Sequence, residues 1–254
     1  MTNTPSFLSD HIQALILGSI LGDGSLRLHK PYKNARFSFR HSVKQQDYFH
    51  WKVRQLKEIS SEKNTWLQGV NGRDGYGGEK LRYQSRALES LTELYHLTHQ
   101  KNQMVIRRKW LNLLTPLSLA VWWLDDGSII TNGRRGVLCT DSFSHEAQKL
   151  LKQYLEKVWN ISVSIGKIRR YRESKEVTYY RLWIRSSEQL QKLLRIILPY
   201  VQVESMLPKV ILLYSDSQLQ QRWISEVSKF SGFSETVVEK YATAKKAKWK
   251  RFRK

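Results

Sequence analysis

Two apolar runs, each closing on Asp-Gly, constrain this chain more than anything else in it. They are Ile16-Leu17-Gly18-Ser19-Ile20-Leu21-Gly22-Asp23-Gly24 and Leu119-Ala120-Val121-Trp122-Trp123-Leu124-Asp125-Asp126-Gly127. The acids Asp23 and Asp126 stand 103 residues apart, so each run opens one copy of a repeated unit. Apolar residues surround each predicted helix on nearly every side, which suits burial against protein. Neither run is long enough to span a bilayer. Gly18, Ser19, Gly22 and Ala120 are small enough for two backbones to approach closely, and Gly24 and Gly127 are of the type that ends helices in a left-handed conformation. Packed side by side, the two helices would bring both carboxylates out at one end. Two acids held close in a basic chain are costly without a cation between them, and all-oxygen ligands favour Mg²⁺.

The two stretches C-terminal to these runs read alike. Ser9 or Asp10 caps a first helix running to Asp23, which gives way to a short strand from Ser25 to Leu28 and an alternating one from Ala35 to Ser42. Arg36, Ser38 and Arg40 share one face of the latter, with Ala35, Phe37 and Phe39 on the other. Ser42 and Gln45 form a capping box for a helix over Val43 to Ile59. Trp66 to Val70 and Lys80 to Ser85 flank a Gly-rich loop, with Lys80, Arg82 and Gln84 on one face; Ser85 caps a helix to Leu97. The second copy gives strands over Ser128 to Thr131 and Val137 to Ser142 about a turn at Asn132-Gly133, then a helix from His145 to Trp159 capped by Ser144. A hairpin over Ile165 to Arg172 and Val177 to Arg185 carries Lys167, Arg169, Arg181 and Arg185, and Ser187 caps Glu188 to Leu198. The expected class is α/β in the α+β sense: two αββαββα repeats, 8–105 and 106–225, making a saddle-shaped sheet surface with the motif helices between them. Residues 226–254 read as a basic helical appendage that either grips DNA backbone or is a plain basic tail.

The formal charge is +21, from 43 Lys+Arg against 22 Asp+Glu, which favours a polyanionic partner, most often nucleic acid. A purely architectural binder would share that charge, so charge alone does not give an enzyme. Nine Trp and twelve Tyr argue for a packed body. The single cysteine, Cys139, excludes an internal disulfide and a cysteine-based zinc site. No His cluster has metal-ligand spacing and no phosphate-cradling loop is present, which argues against zinc and nucleotide hydrolysis.

The paired runs resemble those of a single-chain LAGLIDADG homing endonuclease, in the branch whose second motif reads WWLDDG after LTPLSLA, here Leu114 to Ala120. Val121 stands where the family pattern has Gly, and Asp125 where it has Ala. The resemblance implies a monomer that cuts double-stranded DNA at an intron-less insertion site, with no membrane partner. Its alternative on the same fold is an RNA maturase that binds its host intron. By this likeness Asp23 and Asp126 are catalytic Mg²⁺ ligands, each aimed at one strand, with the backbone carbonyls of Gly22 and Asp125 as secondary ligands. The resemblance also implies a lysine beside each centre, for which Lys101 and Lys209 are the candidates by position. Arg36, Ser38, Arg40, Lys80, Arg82, Gln84, Lys167, Arg169, Arg181 and Arg185 would contact DNA, Arg and Lys suiting guanine and Gln adenine. Residues 1–10 carry no targeting pattern, so synthesis in a bacterium or inside a chloroplast or mitochondrion is expected.

Overall fold

The computed structural model describes residues 7–69, 78–130, 133–172 and 175–249. The predicted Gly-rich loop up to residue 77, the first half of the predicted Asn132-Gly133 turn and the last basic stretch, 250–254, lie outside them. The chain divides into two units, 1–121 and 122–254.

The first unit opens with α1 (Asp10–Leu21), whose preceding Ser9 hydroxyl accepts from the Ile12 amide. The helix stops two residues short of Asp23, because Gly22 turns its amide back to the Ser19 carbonyl at 2.9 Å and leaves helical geometry. Strands β1 (Gly24–Arg27), β2 (Arg36–Ser42), β3 (Thr65–Gln68) and β4 (Lys80–Gln84) form an antiparallel sheet in the order β1-β2-β4-β3. One face buries Phe37, Phe39 and Tyr83 against Tyr48 and Phe49 of α2 (Gln46–Gln55) and against α3 (Glu89–Thr98). Each such side chain contributes about 1.5–3 kcal/mol by leaving water. A hairpin of two very short strands, β5 (His99–Gln100) and β6 (Gln103–Met104), and a single turn, α4 (Arg108–Leu111), lead to α5 (Pro116–Asp126). Elements as short as β5, β6 and α4 show no period, so the sequence pattern does not predict them. Thr115 and Ser118 exchange amide-to-hydroxyl bonds at the start of α5, with Pro116 as its first residue.

The second unit repeats the order. Strands β7 (Gly127–Ile130), β8 (Arg135–Leu138), β9 (Ser164–Arg172) and β10 (Lys175–Ile184) pair as β7-β8-β10-β9. Helices α6 (His145–Trp159) and α7 (Ser187–Ile197) cover the face that buries Leu138, Leu182 and Ile184. Ser144 caps α6 as expected, whereas α7 is capped by Ser186, one residue earlier than expected. In α3 the N-cap is Leu88 with no side-chain bond, because the buried Ser85 hydroxyl instead accepts from the Phe37 amide and donates to the Arg86 carbonyl. The chain closes with α8 (Ser217–Ser231), Gly232 at φ +80, and α9 (Glu235–Lys248), whose Val238 and Ala242 are buried.

Gly24 and Gly127 do not take the left-handed conformation expected of them; each begins a strand. Close packing is what excludes a side chain there. A Cβ on Gly24 would lie 2.8 Å from Ser19, and one on Gly127 would lie 2.3 Å from the Trp123 ring. In both units the chain therefore folds straight back against the helix it has just left.

Candidate functional site

In the first unit Asp23 is held between the end of α1 and the start of β1, and its side chain is 44% exposed. The His41 imidazole approaches from below, with Nδ1 3.4 Å from the nearer carboxylate oxygen. His41 lies on the inward side of β2, buried among the rings of Phe39, Tyr48 and Phe49. No local spacing links Asp23 to His41, so sequence reasoning misses the pair; its only signal is a polar residue at a core-facing strand position. Asp23 also lines an open concavity of about 530 Å³, walled by Ser25, Arg27, Arg40, Trp66, Arg82 and Gln84 among others.

That wall is the predicted basic face. Register pairs Ser38 with Gln84, Arg40 with Arg82 and Ser42 with Lys80, while Arg36 pairs with Arg27. Arg36, Ser38, Arg40, Lys80, Arg82 and Gln84 therefore all stand on the side away from the buried rings. Trp66, opposite Arg82, joins them and packs beneath its guanidinium at 5.9 Å.

In the second unit the alternation separates the four expected cations. Lys167 and Arg169 pair with Tyr180 and Thr178, which share the parity of the buried Leu182 and Ile184, so both sit at the outer end of the helix-covered side. Arg181 and Arg185 are on the opposite, open side. The reason is the register of β9 against β10: Arg181 faces Gly166, not Lys167. Arg170, which is not among the expected contacts, is on the open side, over the Tyr179 ring. Nor is Arg181 a simple phosphate contact. Its guanidinium grips Asp141 through two bonds, with Nη2 to Oδ2 at 2.6 Å, and Arg170 lies 3.5 Å from the same carboxylate. The hydrogen bond from Arg181 holds the Asp141 carboxyl below the usual range.

Asp126 ends α5, and its carbonyl accepts from the Cys139 amide at 3.0 Å. Burial raises the Cys139 thiol above its ordinary value, with the charges of Asp126 and Asp141 adding to it and those of Arg181 and Lys209 opposing. Lys209 lies against the end of α5, and its role there is particular. Its ammonium donates to the carbonyls of Leu124 at 2.5 Å and Asp125 at 3.0 Å, while its own carbonyl accepts from Trp123 Nε1 at 2.8 Å. A cation on the last carbonyls of a helix is placed favourably against the helix dipole. The Asp125 carbonyl, expected to serve a metal, is thus engaged by Lys209. Lys101 has no comparable seat: it is exposed, at the tip of the β5–β6 turn with φ 49°, next to Asn102, which accepts from the Tyr95 hydroxyl.

The donor set fits a hard divalent cation in the first unit, where a partly exposed carboxylate supplies oxygen; the neighbouring His41 nitrogen is a donor that Mg²⁺ uses less readily than Mn²⁺ or Co²⁺ does.

Residues 13–193 match the family of LAGLIDADG DNA endonucleases. The chain belongs to that family. Among its relatives, RecA of Mycobacterium gastri is 31% identical over 66% of this chain and 41% of its own length. The cytochrome b mRNA maturase bI2 of Saccharomyces cerevisiae is 28% identical over 79% of this chain and 48% of its own. DNA endonuclease I-ChuI of Chlamydomonas applanata is 24% identical over 63% of this chain and 78% of its own. The chain thus spans about two-fifths of the length of the RecA relative. In fold it is similar to homing endonuclease I-WcaI, solved bound to its DNA recognition sequence, with a TM-score of 0.70 at 21% identity, covering 83% of this chain and 90% of that one. Among the described residues, no helix is long and apolar enough to cross a membrane.

Proposed function

We propose that the chain is a monomeric, sequence-specific homing endonuclease that hydrolyses both strands of DNA at an uninterrupted insertion site, with Mg²⁺ as its metal. The observation that carries this reading is the presence of an acid at the same structural point in both units. Asp23 directly precedes the glycine that opens β1, and Asp126 directly precedes the glycine that opens β7. A protein that only binds nucleic acid needs neither.

Asp23 and Asp126 would hold divalent metal, each serving one strand. Metal bound there supplies an activated water and neutralises charge building on the scissile phosphate. The remaining roles belong to the chain itself. Arg27, Arg36, Arg40, Lys80 and Arg82 on the first sheet, and Arg185 on the second, bind phosphates and base edges, with phosphate contacts supplying most of the affinity. Gln84 presents an amide suited to adenine. Lys209 fixes the end of α5 and so the backbone that carries Asp126.

The test is cleavage of a supercoiled plasmid carrying the uninterrupted host allele, with Mg²⁺, beside Asp23→Asn and Asp126→Asn. Linear product from wild type, and its loss in both variants, is the expected result. The alignment with the maturase bI2 over 79% of the chain favours a second reading, assistance to a host intron's folding. Tight binding of that intron's RNA, with no cutting of the plasmid by wild type, would establish it in place of the first.

A further inference from the structure

Every backbone carbonyl in residues 208–212 accepts a hydrogen bond from a side chain. Lys245 Nζ donates to Pro208 at 2.6 Å and to Ile211 at 2.7 Å. Trp123 Nε1 donates to Lys209, Trp223 Nε1 to Val210 at 3.1 Å, and Gln220 Nε2 to Leu212 at 3.1 Å. Gln220 closes the run by accepting from the Tyr214 amide at 2.9 Å. Four of the five carbonyls are held by residues of α8 and α9: Gln220 and Trp223 precede the stretch that reads in sequence as a basic tail, and Lys245 lies within it. The segment leaves a 3₁₀ turn at Lys209 and buries Val210, Ile211 and Leu212, so its carbonyls must be satisfied, and side chains rather than a ladder do so here. Lys245 is the most demanding of these donors, since its ammonium is turned inward onto two carbonyls although the residue as a whole is only half-buried.

The segment so held carries Lys209, whose ammonium sits on the Leu124 and Asp125 carbonyls. We infer that the C-terminal helix pair is a positioning element for the Asp126 centre, with Lys245 as the residue that fixes segment 208–212 and thereby seats Lys209 on the end of α5. The inference rests on the proposed roles of Asp126 and Lys209. It gives α9 a task in catalysis that does not require contact with DNA. A donor acting through another group in this way commonly changes activity by roughly tenfold to a hundredfold when removed.

Two measurements test it. Lys245→Met removes the donors and keeps the length; Trp223→Phe removes a different donor to the same segment and guards against a Lys245 variant that fails to fold. Amide hydrogen exchange should rise about tenfold or more at residues 209–214 in both variants and stay unchanged in α6 and β10. In strand-resolved single-turnover cleavage of the same plasmid, both variants and Lys209→Met should slow one strand about tenfold relative to the other, with binding of the plasmid site unaltered. Unchanged exchange at 209–214 overturns the inference whether or not the plasmid is cut. A strand bias in Lys209→Met but not in the other two overturns it and leaves the functional reading standing. No strand bias in Lys209→Met removes the role of Lys209 itself, and the inference falls with it.

Discussion

The Ser118 hydroxyl donates to the Ala14 carbonyl across 2.8 Å, at a crossing where a Cβ on Gly18 would stand 2.4 Å from the Ser118 carbonyl oxygen. Helices α1 and α5 therefore meet backbone to backbone, and the close approach falls at Ser118, three residues before the Val121 that replaces the family's glycine. Gly18→Val should force the helices apart and cost about 1–3 kcal/mol of stability. Ser118→Ala should cost about 1 kcal/mol through the lost buried bond. Urea midpoints of the two variants check both values, and a Gly18→Val midpoint equal to wild type would contradict the crossing.

Whether a feature is legible in the sequence depends on whether a local rule is left undisturbed. Ser144 and the amphipathic α6 are local, and helix and cap agree with the sequence to the residue. Ser85 obeys the same local rule on paper, yet the β2 amide at Phe37 competes for its hydroxyl and wins. Gly24 and Gly127 stand out in the sequence as helix terminators, but a different cause holds them: contact with Ser19 and Trp123, set by how the strand folds back on the helix, excludes a side chain. Of the candidate site, motif picks out Asp23 and Asp126, and family likeness offers both Lys209, which sits on the end of α5, and Lys101, which is exposed on a turn. His41 under Asp23, and the separation of Lys167 and Arg169 from Arg181, depend on strand register, which the alternation within one strand does not reveal.

The two acids should behave as chemistry, not as scaffold. Asp23→Asn and Asp126→Asn are expected to lower cleavage by roughly a hundredfold or more while leaving affinity for DNA equal or higher, since each removes a negative charge from a basic surface. Cleavage rate against dissociation constant, measured on the same duplex, separates these. Loss of binding in parallel with cleavage would assign the acids a structural role.

Asp141 neutralises two cations on the open side of the second sheet, Arg181 and Arg170. Replacing it with Asn should release both to phosphate. Binding to a random-sequence duplex should strengthen, and log K against log salt should steepen by roughly one to two. Fluorescence anisotropy across a salt series reads the slope directly, and a slope unchanged from wild type would mean that Arg181 and Arg170 do not face the duplex.

Burial pushes the Lys245 ammonium down to about 7 from its ordinary 10.5, and this makes a pH effect with a definite sign. Below pH 7 both folded and unfolded chains hold the proton, and folding bears the whole cost of burying the charge. Between pH 7 and 10.5 the folded chain has released a proton that the unfolded chain retains, so the contribution of this group to stability rises with pH across that window. Lys245→Met has no such proton. The difference in unfolding free energy, wild type minus Lys245→Met, should therefore move in favour of wild type by on the order of 2 kcal/mol between about pH 6.5 and about pH 9. Tyr83, pushed by burial up to about 12, titrates outside this range and is common to both proteins, so it cancels. Urea unfolding at the two pH values reads the difference; a flat result would mean that the carbonyls of Pro208 and Ile211 stabilise the charged ammonium enough to offset its burial.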